Sequence, residues 1–146
     1  MNPEKVPFSI SHYPLKQNNY NKMPNSHKHI LVIDDNEDIL LMLKTMLELK
    51  RYKVSIRDNA EGIETTISTL KPNIIIMDML LSGIDGRDVC RALKENPATS
   101  NIPLLMISAH PNAHDTCLAA GADYFLSKPF DMNDLFDKVN LASVKI

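Results

Sequence analysis

Three separate blocks of four apolar residues, Ile30-Leu31-Val32-Ile33, Ile74-Ile75-Ile76-Met77 and Leu104-Leu105-Met106-Ile107, constrain the fold more than any other feature of this chain. A strand with one face in water alternates apolar and polar residues, whereas a strand covered on both faces reads as an unbroken apolar run. Three such runs require a parallel sheet with a layer packed above it and another below. Two further segments suit the margins of that sheet. Tyr52-Lys53-Val54-Ser55-Ile56-Arg57 alternates and Tyr124-Phe125-Leu126 is short, so both are expected at the edges.

Between these runs the spacing turns helical. Ile39, Leu43, Met46 and Leu47 recur at i, i+4, i+7 and i+8, one stripe of an amphipathic helix. A second helix is predicted over 60–70, with Ile63, Ile67 and Leu70 on its stripe and Pro72 ending it. The third runs from Gly86 to about Glu95, carrying Val89, Cys90 and Leu93 ahead of Pro97. A fourth covers roughly 112–120 and stops at Gly121, a natural left-handed C-terminal residue. The fifth begins at Asp131 and continues through Leu135, Phe136 and Val139. Five strand-helix pairs predict an α/β fold: a doubly wound, five-stranded parallel sheet with five helices on its two faces.

A chain of 146 residues that is 44% hydrophobic holds one such core and is too short for two. Residues 1–27 show neither helical nor strand periodicity, being rich in Asn, Pro, Ser, Lys, His and Tyr, and are expected to form a disordered N-terminal tail. That tail carries three lysines against one glutamate, so the acidic surplus of the chain, net −2, belongs to residues 28–146. Direct nucleic-acid binding is not expected of an acidic domain. Membrane spanning is not expected either: the longest apolar stretch, Ile39 to Leu43, is five residues, against the roughly 20 a spanning helix needs. Cys90 and Cys117 lack metal-type spacing and read as reduced core thiols, which with the missing leader suggests a cytoplasmic protein. Met42, Met46, Met77, Met79 and Met106 read as core filling, His12, His27 and His29 as solvated tail residues, and His114 as a residue on the exposed face of the fourth helix.

The chemistry lies where polar residues stop the strands. Asp34 and Asp35 follow the first, Asp78 the third, Ser108 the fourth and Lys128 the fifth. In a parallel sheet these C-terminal ends share one rim, the place where open α/β folds form their ligand crevice. Any one of these residues is explained as a helix cap; three carboxylates and an ammonium together are not. Two carboxylates about 4 Å apart repel by roughly 4 kcal/mol at an effective dielectric near 20, so either a pKa rises or a cation binds. An all-oxygen acidic nest suits Mg²⁺, which favours one or two carboxylates, waters and a phosphate oxygen. Phosphoryl chemistry follows, with Asp78, between the flanking acids in sheet order, as the candidate nucleophile. Lys128 offers a second positive charge and Ser108 a hydroxyl, and the small Ala109 leaves room for a phosphoryl group.

The succession Ile33-Asp34-Asp35-Asn36-Glu37, Met77-Asp78, Asp85-Gly86, Ile107-Ser108-Ala109, Gly121-Ala122-Asp123 and Lys128-Pro129-Phe130 resembles the receiver domain of bacterial two-component response regulators over residues 28 to about 141. The resemblance implies a flavodoxin-like fold with strand order 2-1-3-4-5 and a receiver domain over residues 28–146. It implies that Asp78 accepts a phosphoryl group from a phosphohistidine on a sensor histidine kinase or a histidine phosphotransfer domain. Mg²⁺ would be held by Asp35, Asp78 and the backbone carbonyl of Leu80, with Asp34 assisting through water. Lys128 would bridge to the phosphoryl oxygens, Ser108 would move to hydrogen-bond them, and Phe125 would fill the aromatic switch position. Lys128-Pro129 would be the family's cis peptide. The face bearing the fourth helix and fifth strand would then be remodelled for a downstream protein target.

Leu81-Ser82 stands where the family often has Met-Pro, and Leu80 and His110 occupy positions that modulate phosphoryl lifetime in the family. An apolar Leu80 points to slow self-dephosphorylation; His110 acts in either direction. The chain is expected to catalyse only its own phosphorylation and dephosphorylation rather than to act as an enzyme on other substrates, and to be a stand-alone receiver, an excised module of a hybrid kinase being the alternative. A phosphatase of the haloacid-dehalogenase type also uses an aspartate nucleophile with Mg²⁺, but needs a second acid two residues later, where this chain has Leu80. A third reading is a receiver fold that binds partners without being phosphorylated.

Overall fold

A computed structural model describes residues 28–144. The three apolar blocks form β1 (His29–Ile33), β3 (Ile74–Asp78) and β6 (Leu104–Ser108), flanked by β2 (Lys53–Arg57) and β7 (Tyr124–Ser127). All pair parallel in the order β2-β1-β3-β6-β7. This is the flavodoxin-like order 2-1-3-4-5 counted over the five sheet strands alone. β1, β3 and β6 are interior and β2 and β7 are the edges, as their sequence patterns require.

Along each interior strand alternate residues enter opposite cores. Ile30, Val32, Ile74, Ile76, Leu105 and Ile107 face α1 (Glu37–Leu49) and α5 (Met132–Ser143). Leu31, Ile33, Ile75, Met77, Leu104 and Met106 face α2 (Ile63–Leu70), α3 (Gly86–Glu95) and α4 (Ala113–Ala119). Burial on both faces is why, after His29 at the start of β1, these strands carry no polar residue until their C-terminal ends.

Local chemistry sets the helix boundaries. Asn36 caps α1, its side chain accepting from the backbone N–H groups of Asp38 and Ile39. Asp131 caps α5 in a reciprocal capping box with Asp134. The second helix starts at Ile63 rather than 60, because Gly62 takes the left-handed conformation (φ 63°) and Ala60 is consumed in the turn before it. On α1 the buried stripe is Leu40, Leu43 and Leu47, with Ile39 and Met46 half-buried beside it. Leu43 and Leu47 are buried as expected, while Leu40 takes the inner place expected for Ile39, an ambiguity inherent in Ile39-Leu40-Leu41-Met42-Leu43, where every position is apolar.

Met42 is 39% exposed rather than core filling, since it falls on the outer side of the same helix. His29 is not a solvated tail residue: it opens β1, is 6% exposed, and places Nε2 2.7 Å from Ser55 Oγ and Nδ1 3.2 Å from the Leu70 carbonyl oxygen. Burial lowers its pKa. Met77, Met79 and Met106 are buried, as are the free thiols of Cys90 and Cys117, and burial pushes the Cys90 thiol up to about 11. The expected tail, 1–27, lies outside the described residues.

One element had no counterpart in the strand expectations. Just after β3 the chain forms a hairpin of β4 (Leu80–Leu81) and β5 (Ile84–Asp85), paired antiparallel. Ser82 and Gly83, at φ 43° and 84°, make its two-residue turn, and two consecutive positive φ values match the twist of such tight hairpins. The Ser-Gly dipeptide was the available signal, but strands of two residues are too short to show a period. Among the described residues no helix is long and apolar enough to cross a membrane.

Candidate functional site

The parallel sheet brings the strand stops to one rim. Asp34 and Asp35 leave β1, Asp78 ends β3, Ser108 ends β6, and Lys128 follows β7. Each acid is held differently. Asp34 is 2% exposed; its backbone N–H donates to the Arg57 carbonyl and its Oδ1 accepts from the Asn36 N–H at 2.9 Å. Asp35 is exposed, and its Oδ2 accepts from both the backbone N–H and the hydroxyl of Ser82, each at 3.1 Å. The hairpin therefore anchors the outer acid through a residue that lies 47 positions away in sequence.

One carboxylate oxygen from each of Asp34, Asp35 and Asp78 lies within 4.8 Å of the other two. Lys128 Nζ stands 3.1 Å from Asp78 Oδ1 and 3.5 Å from Asp34 Oδ2. Its ammonium is positioned by backbone as well: the Lys128 N–H donates to the Ser108 carbonyl at 2.9 Å, and the Lys128–Pro129 peptide is cis. The pKa of Asp78 is raised, first by its burial and then by the charges of Asp34 and Asp35, against the opposing hydrogen bond and charge of Lys128. One ammonium thus does not balance three acids. Only carboxylate oxygens converge here, with no thiolate or imidazole among the three, and that donor set fits a hard divalent cation such as Mg²⁺.

Ser108 is buried at the same rim, but its Oγ accepts from the His110 N–H at 3.0 Å. Its hydroxyl is engaged with its own loop. Phe125 is half-buried on β7, paired with Met106 in register, and the His114 ring meets it edge-on at 5.5 Å between centroids. His114 lies on the exposed side of α4, as expected, with this ring contact in addition. Leu80 sits two residues past Asp78 in β4, its side chain 58% exposed.

Gly86 matters to this geometry more than its place in a dipeptide motif suggested. Its N–H donates to the Met79 carbonyl, and a Cβ added there would lie 2.5 Å from the Asp78 carbonyl oxygen and 2.9 Å from that of Met79. Only a residue without a side chain lets α3 start against the strand end that carries Asp78. We expect Gly86→Ala to destabilise the fold by about 1–3 kcal/mol, read as a lower denaturation midpoint, and to weaken Mg²⁺ binding measured by titration. Unchanged Mg²⁺ affinity would show that the close approach does not shape the site.

Known proteins resemble this arrangement over most of the chain. Residues 30–140 match the response regulator receiver domain family. The response regulator PleD of Caulobacter vibrioides is 37% identical over 112 residues, which cover 75% of this chain and 25% of PleD. The DNA-binding response regulator MtrA of Mycolicibacterium smegmatis is 30% identical over 119 residues, covering 80% of this chain and 51% of MtrA. The chain thus spans about half the length of one curated relative and a quarter of the other. Among solved structures, the signal receiver domain of a signal transduction histidine kinase from Syntrophus aciditrophicus is similar at TM-score 0.75 and 28% identity, covering 82% of this chain and 92% of that one. The chemotaxis response regulator CheY4 of Vibrio cholerae shares the fold at TM-score 0.72 and 20% identity, covering 79% and 98% of the two chains.

Proposed function

The chain belongs to the response regulator receiver domain family, and from that membership we propose that it accepts a phosphoryl group on Asp78 in a Mg²⁺-dependent transfer from a phosphohistidine, and thereby switches a partner-binding face. Receiver domains accept phosphoryl groups from histidine kinases, and use Mg²⁺ at an acidic pocket. The observation that carries the assignment is the triad of carboxylates within 4.8 Å, with Lys128 Nζ 3.1 Å from Asp78.

In this reading Asp34, Asp35 and Asp78 hold the cation together with the backbone carbonyl of Leu80. Bound there, Mg²⁺ supplies the positive charge that lets the acids stay ionised beside an incoming phosphoryl group. A carboxylate oxygen of Asp78 attacks phosphorus, the new P–O bond replaces the N–P bond of the donor, and the electron pair stays on the departing imidazole nitrogen. Lys128 pairs with a phosphoryl oxygen as that charge arrives. Ser108 leaves the His110 N–H and donates its hydroxyl to another phosphoryl oxygen. Phe125 follows inward, which changes the surface of α4 and β7 presented to a downstream protein target. The kinase and target are proteins of the two-component type; neither a nucleic acid nor a membrane is part of this reading, and the cytoplasm is its setting.

Incubation with acetyl phosphate and Mg²⁺, read by intact mass, tests the assignment. We expect one added phosphoryl group on the wild type, none on Asp78→Ala, and none when Mg²⁺ is chelated. A label that survives Asp78→Ala would move the acceptor elsewhere. Turnover of p-nitrophenyl phosphate dependent on Asp78 would instead make the chain a phosphatase.

A further inference from the structure

Four nitrogen-to-oxygen contacts of one side chain stand outside the machinery described so far. Arg87, in the first turn of α3, forks onto Asp85, with Nε 2.9 Å from Oδ1 and 3.1 Å from Oδ2, and Nη2 2.6 Å from Oδ2. Its remaining arm, Nη1, reaches across to α4 and donates to Thr116 Oγ1 at 3.0 Å. Resting on the reading that Asp78 accepts a phosphoryl group, we propose that Arg87 is a positioning residue that latches α4 in its unphosphorylated place and so sets how readily Asp78 is phosphorylated.

A closed circuit of contacts begins and ends beside Asp78. Asp85 is fixed at the site, since it pairs with Leu80 in the hairpin that follows Asp78 and also caps α3 by accepting from the Arg87 N–H at 2.9 Å. A planar guanidinium held at two edges by that carboxylate has little freedom left, so its Nη1 points where the fork aims it. That target is the Thr116 hydroxyl, which lies 3.3 Å from the carbonyl oxygens of Asn112 and Ala113 and is thereby tied to the start of its own helix. From there the path returns. The Ala113 N–H donates to the His110 carbonyl at 3.2 Å, and the His110 N–H donates to Ser108 Oγ at 3.0 Å. Ser108 stands one residue beyond Ile107, the register partner of Asp78.

Swinging Ser108 Oγ over to a phosphoryl group carries the acceptor away from the His110 N–H and loosens the loop on which the first turn of α4 hangs. The Arg87–Thr116 contact resists that movement from the opposite end of the circuit. A contact made in one conformation and lost in the other biases the equilibrium by its own differential energy. Removing it should favour the switched conformation, and acceptance of the phosphoryl group should quicken with it.

Arg87→Ala cuts the latch at its source, and Thr116→Val removes the acceptor at nearly constant volume, together with the hydroxyl's own donation to the Asn112 and Ala113 carbonyls. We expect either variant to be phosphorylated by acetyl phosphate and Mg²⁺ roughly three- to tenfold faster than wild type, by time-resolved intact mass. Thr116→Ser, which keeps the hydroxyl, should return the wild-type rate. The double variant should be no faster than the quicker single one, because both lesions break one interaction. Wild-type rates in Arg87→Ala and Thr116→Val, or a double variant whose acceleration is the product of the two, would overturn the latch while leaving Asp78 as acceptor. Absence of label from every protein, wild type included, would overturn both the acceptor assignment and the latch. A purely structural role would slow both variants, lower their melting temperatures, and leave Thr116→Ser no better than Thr116→Val.

Discussion

Replacing Asp78 by Asn is expected to abolish phosphoryl labelling and, in the metal-free protein, to raise the melting temperature. Loss of label follows from loss of the nucleophilic oxygen. The gain in stability follows from the site's electrostatics: Asp78 is buried to 12% side-chain exposure and faces two other acids, so its ionised form is the costly one. Asn keeps an oxygen for the Lys128 ammonium while removing the buried charge. The expected gain is on the order of 1–2 kcal/mol, a shift of a few degrees for a domain of this size.

Its pH dependence has a definite sign. Because the native pKa of Asp78 is raised above the ordinary 3.8, the native state binds more protons than the unfolded chain between those two values. Wild-type stability from this group therefore falls as pH rises through that window. The advantage of Asp78→Asn should be full above the raised native pKa and vanish in acid below 3.8, where the carboxyl is protonated in both states. Added Mg²⁺ should stabilise the wild type more than the variant, narrowing the gap. Calorimetry with and without Mg²⁺ checks each statement, and a variant less stable than metal-free wild type at neutral pH would contradict the picture of crowded acids.

Lys128→Ala is expected to slow acceptance of the phosphoryl group by about two orders of magnitude, by analogy with the loss of one positioned charge-stabilising donor. Mg²⁺ affinity should stay nearly unchanged or rise, since the ammonium competes with a cation for Asp78 and Asp34 at 3.1 and 3.5 Å. Protein that does become labelled should fail to change the environment of Phe125 and α4, followed by the chemical shifts of residues 108–127 before and after labelling. A normal response there would remove Lys128 from the coupling of charge to conformation. Metal binding, labelling and switching are thus separated by two substitutions at adjacent side chains.

How far the chain could be read in advance depended on the range of the forces involved. The interior strands were legible because two-faced burial leaves no alternative to an unbroken apolar run, and their polar stops exposed the rim. Asp34, Asp35, Asp78 and Lys128 were visible together for the same reason, since strand ends of a parallel sheet must converge. Burial on the first helix was not, because Ile39 to Leu43 offers no polar residue to fix the rotation. His29 also escaped, as its partners Ser55 and Leu70 come from β2 and the end of α2.

Sequence by itself determined the layered α/β architecture, its edge and interior strands, and the residues that gather at its C-terminal rim, because hydrophobic periodicity and strand punctuation are local properties of the chain. Only the tertiary structure decided that Ser82 holds Asp35, that Gly86 must lack a side chain, and that Arg87 links Asp85 to Thr116. Those contacts join residues brought together by loop and helix placement, and a hydrogen bond of 3 Å is fixed by coordinates that no periodicity encodes.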